Sequence, residues 1–358
     1  MSNTTRFRRP KSISPPFKRV MLAKTSQLGD LVISLPMATA LKRQDPACTV
    51  IFLTNPRTAD AARCCPDVDE VYGMPDSEGE LQTLLVSLNI DIFIQVNTSA
   101  VLAKAAYEAD IPVRIGSLFR THNWRRCSHL VALSSSISGL NKRLLDLQYL
   151  TPLGVKIDDL QEVRLLYNLA PPPLAVVLSG IHPRQFAHNR KTVILSPALI
   201  TAGSHQWPLE SYSQLIGLME PSQFQWFICG VAGDRKYLQP LLDRYAQESN
   251  VTDVVGQFSL SEFIGFIANC DALVAGSTGP LHLAAALGVH TLGLFQSRQV
   301  DLQRWCPIGR SASVIHSAVR CKGERRSKNG TQAVPCPCIL AIKPEEVAQR
   351  LLAWFRQP

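Results

Sequence analysis

Short apolar runs alternate with stretches of helical period along most of the chain. Lys18 to Lys24 carries Val20, Met21, Leu22 and Ala23 and predicts a buried strand. After a loop from Thr25 to Asp30, the residues Leu31, Val32, Leu35, Ala38, Thr39 and Leu41 recur at helical spacing. Further strands are predicted over 49–53, 69–72, 91–95 and 113–115, with helices over 56–65, 80–88 and 100–108 between them. A second series follows the stiff stretch Ala170 to Pro173 and the polar, irregular stretch Gly180 to Asn189. It has strands over 192–196, 225–229, 272–275 and 290–295, and helices over 209–219, 237–248, 260–269 and 344–356. Strands alternating with helices at this spacing predict βαβ units and parallel sheets.

The expected fold is α/β, with two doubly wound, Rossmann-like domains facing a central cleft. A basic tail, expected to be disordered, covers 1–17, and the N-terminal domain covers 18–170. A linker covers 171–190 and the C-terminal domain 191–343. The last helix, 344–358, is expected to cross back onto the first domain. Ligands of such sheets sit at the carboxyl ends of strands. That rule points to Leu28-Gly29-Asp30 in one half and Ser277-Thr278-Gly279 in the other.

The stretch from Asp271 to Gly288 reads strand, tight loop, helix. Pro280 suits the first helical turn and Gly288 its end. Orphan N–H groups and the helix dipole both favour a phosphate there, although an ordinary βα turn has the same letters. Neither the Gly-x-Gly-x-x-Gly fingerprint nor a P-loop lysine is present.

Composition narrows the class. Hydrophobic residues make up 46% and charged residues 18%, as in a soluble globular protein. No apolar run reaches the roughly 18 residues of a membrane span. The charged N-terminus has no apolar run behind it, so no secretory signal is expected, and the thiols are expected reduced in a cytosol. The net charge of +9 favours an acidic partner. The basic residues are not interleaved with aromatics on one segment, so no nucleic-acid module is expected. The 10 cysteines lack zinc-finger spacing, yet Cys321, Cys336 and Cys338 are candidates to cluster around a metal or to pair. Asp67-Val68-Asp69 has the letters of a metal motif but lies beside Pro66 at the start of a short strand, so no catalytic metal site is assigned.

Three segments carry a family resemblance. They are Lys24 to Asp30 followed by Ser34-Leu35-Pro36, then Gly203 to Glu210 with its Trp207-Pro208 pair, and Ser277-Thr278-Gly279 with His282 before an Ala-rich helix. Across nearly all of 18–357 the chain resembles glycosyltransferase family 9, the ADP-heptose:lipopolysaccharide heptosyltransferases. The resemblance implies the GT-B fold, a nucleotide diphosphate sugar (ADP-heptose) held by the C-terminal half, and inverting single-displacement transfer without metal or cofactor. It implies a lipopolysaccharide-core acceptor bound by the N-terminal half, at the inner face of the cytoplasmic membrane.

Such transfer needs a base for the acceptor hydroxyl, and Asp30 is assigned to it. From its position alone Asp30 reads first as a partner of its helix dipole, and the matching motif reverses that order. The donor set is Ser277, Thr278, Gly279 and His282 with Thr201, His205, Asp234 and Phe258. Asp234 is taken for the ribose, and His282 has the alternative of a core histidine. The acceptor set is Arg57, Arg63, Arg120 and Lys24, since arginine grips phosphate and carboxylate in bidentate fashion. Each of these arginines has the alternative of a solvated face. Arg114, Arg125 and Arg126 extend the basic character, and Arg320, Lys322, Arg325, Arg326 and Lys328 form a basic loop suited to an anionic membrane.

Two departures keep the substrate open. Ser277 stands where the family often has Asp, and His205 where some heptosyltransferases have Lys. The rivals are the same chemistry with another nucleotide sugar or another glycan or protein acceptor, and a non-catalytic sugar-nucleotide-binding protein.

Overall fold

The computed structural model describes residues 13–133, 140–173, 189–197, 206–297, 299–321 and 335–356. The chain forms two compact units, Met1–Asn168 and Leu169–Pro358. The first contains strands β1 (Arg19–Lys24), β2 (Thr49–Thr54), β3 (Glu70–Gly73), β4 (Ile92–Gln95), β5 (Val113–Ser117) and β6 (His129–Val131). The second contains β7 (Lys191–Ser196), β8 (Phe224–Ile228), β9 (Val251–Asp253), β10 (Ala272–Ala275), β11 (His290–Phe295) and β12 (Ala312–His316). The orders are β3-β2-β1-β4-β5-β6 and β12-β11-β10-β7-β8-β9. Every described pairing is parallel. Read from its own first strand, each sheet therefore has the same doubly wound order, with its switch point between first and fourth strands.

The central strands are apolar throughout because both faces are covered. In the first sheet Met21, Ala23, Ile51, Leu53 and Phe93 pack against Leu81, Leu85, Leu102 and Ala105 from two helices. In the second, Val193, Leu195, Trp226, Ile228 and Val274 pack with Trp207, Tyr212 and Leu215. The opposite face of that sheet meets the helix Leu260–Ala268, where Phe227 and Phe266 stand edge to face at 5.0 Å. That helix starts at a capping box, Ser259 with Glu262, as its sequence dictates.

Three strands escape the hydrophobic pattern: β6, β9 and β12. All three are sheet edges. An edge strand is half-wet, needs no continuous apolar run, and these are short and mixed in character.

Two further differences from the sequence reading lie at the chain ends. Phe17, read as part of a disordered tail, is 3% exposed and its N–H donates to Asp45 Oδ2 at 2.6 Å. The Ile13 N–H donates to the Pro152 carbonyl at 2.9 Å, so the last residues of that segment are tied down. The helix Pro344–Phe355, expected to return to the first domain, has its buried residues Val347, Ala348 and Leu351 in the core of the second. Trp207 secures this arrangement, since its Nε1 donates to the Ile342 carbonyl at 3.1 Å. Most of the expected linker, 174–188, lies outside the described residues.

Candidate active site

In the first unit the carboxyl ends of β1, β4 and β5 open on a cavity of about 490 Å³. Lys24, Asp30, Asn97, Arg120, Lys142 and Asp146 are among its lining residues. β1 ends in Lys24, which is 2% exposed. The chain then turns into the helix Leu28–Ser34, whose first turn carries Asp30. The turn is held to the β4 loop because the Thr25 N–H donates to Asn97 Oδ1 at 3.1 Å.

The charges in this cavity are organised by a residue that sequence reasoning missed. Asp146 is 1% exposed on the helix Lys142–Leu147. One oxygen accepts from Ser34 Oγ at 2.8 Å and from Lys24 Nζ at 3.4 Å, and the other accepts from Lys142 Nζ. Burial pushes the Asp146 carboxyl up, but the Lys142 and Lys24 ammonium groups and the hydrogen bonds outweigh it and hold it below its usual range. Burial pulls Lys142 below its usual range, against the opposing pull of Asp146. Lys24 Nζ also lies 3.8 Å from Asp30 Oδ1. Asp30 is about one-third exposed, and among the described residues its Oδ2 has no hydrogen-bond partner. Asp30 is thus the accessible carboxylate of the cluster and Asp146 the buried one.

The predicted acceptor residues divide. Lys24 lines the cavity but is committed to Asp146 and Asp30. Arg120 is exposed at the cavity rim and makes no salt bridge among the described residues. Arg57 is exposed in a turn directly after β2, where Asn55 Oδ1 accepts from its backbone N–H. Arg63 pairs with Asp60 at 2.8 Å across one helical turn, outside the cavity lining. Arg114 is also committed: its Nε donates to the Arg126 carbonyl at 2.5 Å, and it lies over the Tyr107 ring.

In the second unit Ser277 to Gly279 follow the carboxyl end of β10, beside β7 at the switch point. Ser277 is exposed, and Thr278 and Gly279 are half-buried. Thr278 is the N-cap of the helix Gly279–Ala286, yet its side chain makes no capping hydrogen bond. Its hydroxyl instead donates to the Gly276 carbonyl at 3.4 Å. Among the described residues no side-chain cap is therefore seen on this helix, and its leading N–H groups follow the carboxyl end of β10, where an anion is favoured.

The other donor candidates fare unevenly. Asp234 follows β8, but its Oδ2 accepts from the Val231 N–H at 3.0 Å and so shapes its own turn. Phe258 follows β9, stacked 4.8 Å from Phe266 and half-buried. The two loops touch, since the Gly256 N–H donates to the Gly230 carbonyl at 2.9 Å and Gly256 has a φ of +72° that only glycine adopts freely. His282 is 3% exposed, so its ring belongs to the interior, the alternative left open from sequence. Thr201 and His205 lie outside the described residues, as do Lys322, Arg325, Arg326 and Lys328. Trp207, of the Trp-Pro pair, is a core anchor at 2% exposure.

Lys142, Asn97 and Asp146 were not singled out from sequence, and Ser34 entered only as part of Ser34-Leu35-Pro36. Lys142 and Asp146 are four apart in a helix, which reads as a solvated surface pair. Only burial makes them something else.

Two units, each with a doubly wound parallel sheet of the same strand order, have the GT-B architecture. A family model described as glycosyltransferase family 9 (heptosyltransferase) matches residues 174–334. The chain is thus similar to members of glycosyltransferase family 9. It is 21% identical over 287 residues to lipooligosaccharide heptosyltransferase 2 of Haemophilus influenzae, covering 77% of this chain and 82% of that protein. Its fold matches Escherichia coli ADP-heptose lipopolysaccharide heptosyltransferase II with a TM-score of 0.73 at 19% identity, over 95% of this chain and 99% of that one. It also matches a family 9 glycosyl transferase from Veillonella parvula with a TM-score of 0.77 at 14% identity, over 94% and 98%.

Proposed function

We propose that this glycosyltransferase moves a heptose or a closely related sugar from a nucleotide diphosphate sugar, ADP-heptose first, to a lipopolysaccharide-core acceptor. The reading rests on one observation above the rest: an accessible carboxylate, Asp30, stands beside buried Lys24 in a cavity at the switch point of the first sheet. Asp30 Oδ2 accepts the acceptor hydroxyl's proton as that oxygen attacks the anomeric carbon, and Lys24 holds the other carboxylate oxygen in place. Lys24, Lys142 and Arg120 face Asp30 and Asp146 in the lining, an excess of one positive charge that suits an anionic acceptor. The leaving diphosphate is stabilised by the leading N–H groups of the helix Gly279–Ala286, which strengthen as negative charge develops on it. Attack opposite the leaving group inverts the anomeric centre, and with both charges met by protein groups no metal is assigned a role.

The kinship with a lipooligosaccharide heptosyltransferase and the matched fold of an ADP-heptose enzyme support this donor and acceptor. Among the described residues no helix is long and apolar enough to cross a membrane. The reading therefore has the protein working at the cytoplasmic face of the membrane that carries the acceptor, attached peripherally through basic residues such as Arg320.

The test is transfer from a panel of nucleotide sugars to a core acceptor lacking heptose, without added magnesium or manganese. Product from ADP-heptose with an inverted anomeric centre is expected. Transfer from a different nucleotide sugar alone would overturn the donor assignment. A rate restored only by divalent metal would overturn the metal-free mechanism.

A further inference from the structure

At the carboxyl end of the edge strand β12, two strands away from β10, three cysteines from two stretches of the second unit converge. Cys321 follows β12, and Cys336 and Cys338 bracket the first residue of the helix Pro337–Leu340. Fourteen residues separate Cys321 from Cys336 in sequence. In space the Cys336 sulfur lies 3.0 Å from that of Cys338 and 3.7 Å from that of Cys321. All three sulfurs lie within 4.8 Å of one another, with Cys336 and Cys338 buried and Cys321 half-buried.

We infer that Cys321, Cys336 and Cys338 form a structural site for a thiophilic divalent cation, zinc in particular. Three thiolates bound to zinc at about 2.3 Å with tetrahedral angles stand about 3.8 Å apart; here the Cys321–Cys336 separation of 3.7 Å matches, the Cys336–Cys338 separation of 3.0 Å widens on binding, and no separation exceeds 4.8 Å. A disulfide uses two sulfurs and strands the third in the same pocket, so it leaves the convergence of three unexplained. An oxygen is already beside the triangle, since Cys321 Sγ lies 3.5 Å from Gln296 Oε1 at the end of β11. That position, filled by the amide oxygen or by water, completes four-coordination. Binding one zinc replaces three thiol protons, which pass to solvent.

The consequence is mechanical. The site ties the exit of edge strand β12 to the chain that leads into the core helix Pro344–Phe355. The Ser317 hydroxyl, which donates to the Cys338 carbonyl at 2.8 Å, reinforces the same junction. A cation there closes the excursion between Cys321 and Cys336 and raises the stability of the second unit by mass action.

The full-length chain purified anaerobically without chelator is expected to hold about one zinc per chain by elemental analysis. Cobalt added to metal-stripped protein is expected to give the thiolate-to-metal charge-transfer and visible bands of a tetrahedral site. Cys321→Ser, Cys336→Ser and Cys338→Ser should each weaken those bands and lower the melting temperature, while Cys64→Ser should change neither. Alkylation of the wild type provides a test that needs no variant: zinc should protect these three cysteines and leave Cys64 reactive. Absence of zinc with no cobalt spectrum would overturn the inference, as would undiminished bands in the three variants. So would an intact mass lowered by two hydrogens, with the bond mapped to any pair of the three.

Discussion

The two units share one strand order but present opposite chemistry at its switch point. In the first, side chains carry the site: Lys24, Asp30, Lys142 and Asp146 form a charged cluster, two of them nearly sealed from water. In the second, the backbone carries it: the helix Gly279–Ala286 begins without a side-chain cap, and the residues around its start are small. Topology decides where a ligand can approach, because parallel strands all end at one edge. The residues placed at that edge decide what the ligand is. Charged side chains suit proton transfer and an anionic acceptor, whereas bare N–H groups suit a diphosphate whose charge grows during the reaction.

The largest expected effect is on the first unit's stability. Asp146→Asn leaves the Lys24 and Lys142 ammonium groups facing a neutral amide in a buried site, and should cost about 3–5 kcal/mol, read as urea midpoint and melting temperature. The same residue links stability to acid. Its folded carboxyl is held below the ordinary value of 3.8, so its contribution is complete above that value and is lost as pH falls through the folded one. Below pH 4, roughly, wild-type stability should therefore fall more steeply with acid than that of Asp146→Asn. Equal slopes would mean that the ion cluster is not what the first switch point rests on.

Asp30→Asn comes next. It keeps the shape and removes the base, so turnover should fall by roughly 10²-fold or more while nucleotide diphosphate binding, measured by calorimetry, stays at the wild-type value. A variant with more than about a tenth of wild-type turnover would break the division of labour between the two units.

The second unit is probed by Gly279→Val. Gly279 is the first residue of its helix and precedes Pro280, which disfavours the helical conformation for a residue with a Cβ before it, so the melting temperature is measured beside the affinity. With the fold intact, a loss of affinity comes from the added side chain standing where a diphosphate approaches the N–H groups. A tenfold weaker donor affinity, about 1.4 kcal/mol, is expected with an unchanged circular dichroism spectrum. Unchanged affinity would reduce this loop to a βα turn. Ser277→Asp sharpens the same point. A shift in preference among nucleotide sugars would show that Ser277 meets the sugar, whereas weaker binding of the free nucleotide would place it against the diphosphate.

The smallest effects separate the arginines. Arg120→Ala removes a rim cation with no salt bridge among the described residues and should raise the acceptor KM several-fold with little change in kcat. Arg63→Ala breaks only an exposed pair with Asp60, worth at most about 1 kcal/mol, and should leave the acceptor KM unchanged. Equal responses would show that charge alone, rather than position at the cavity, draws the acceptor.

Much of this was legible in the chain itself. Val20 to Ala23, Ile51 to Leu53 and Leu273 to Ala275 are apolar on every residue, and short runs of this kind bounded by turn residues suit strands covered on both faces. The loops after β1 and β10, with Asp30 in one and Thr278-Gly279 in the other, follow from where those strands stop. The edge strands were not legible, because a half-wet strand of three to five residues has no distinctive pattern. Nor was the direction of the final helix, since an amphipathic stripe says that a face is buried but not against what. Asp146 and the three cysteines illustrate the same limit. Their chemistry depends on neighbours distant in sequence, Ser34 and Lys24 for Asp146 and a residue across a long excursion for Cys336. Desolvation, which turns a surface ion pair into a buried charge cluster, acts only once the chain has closed around it.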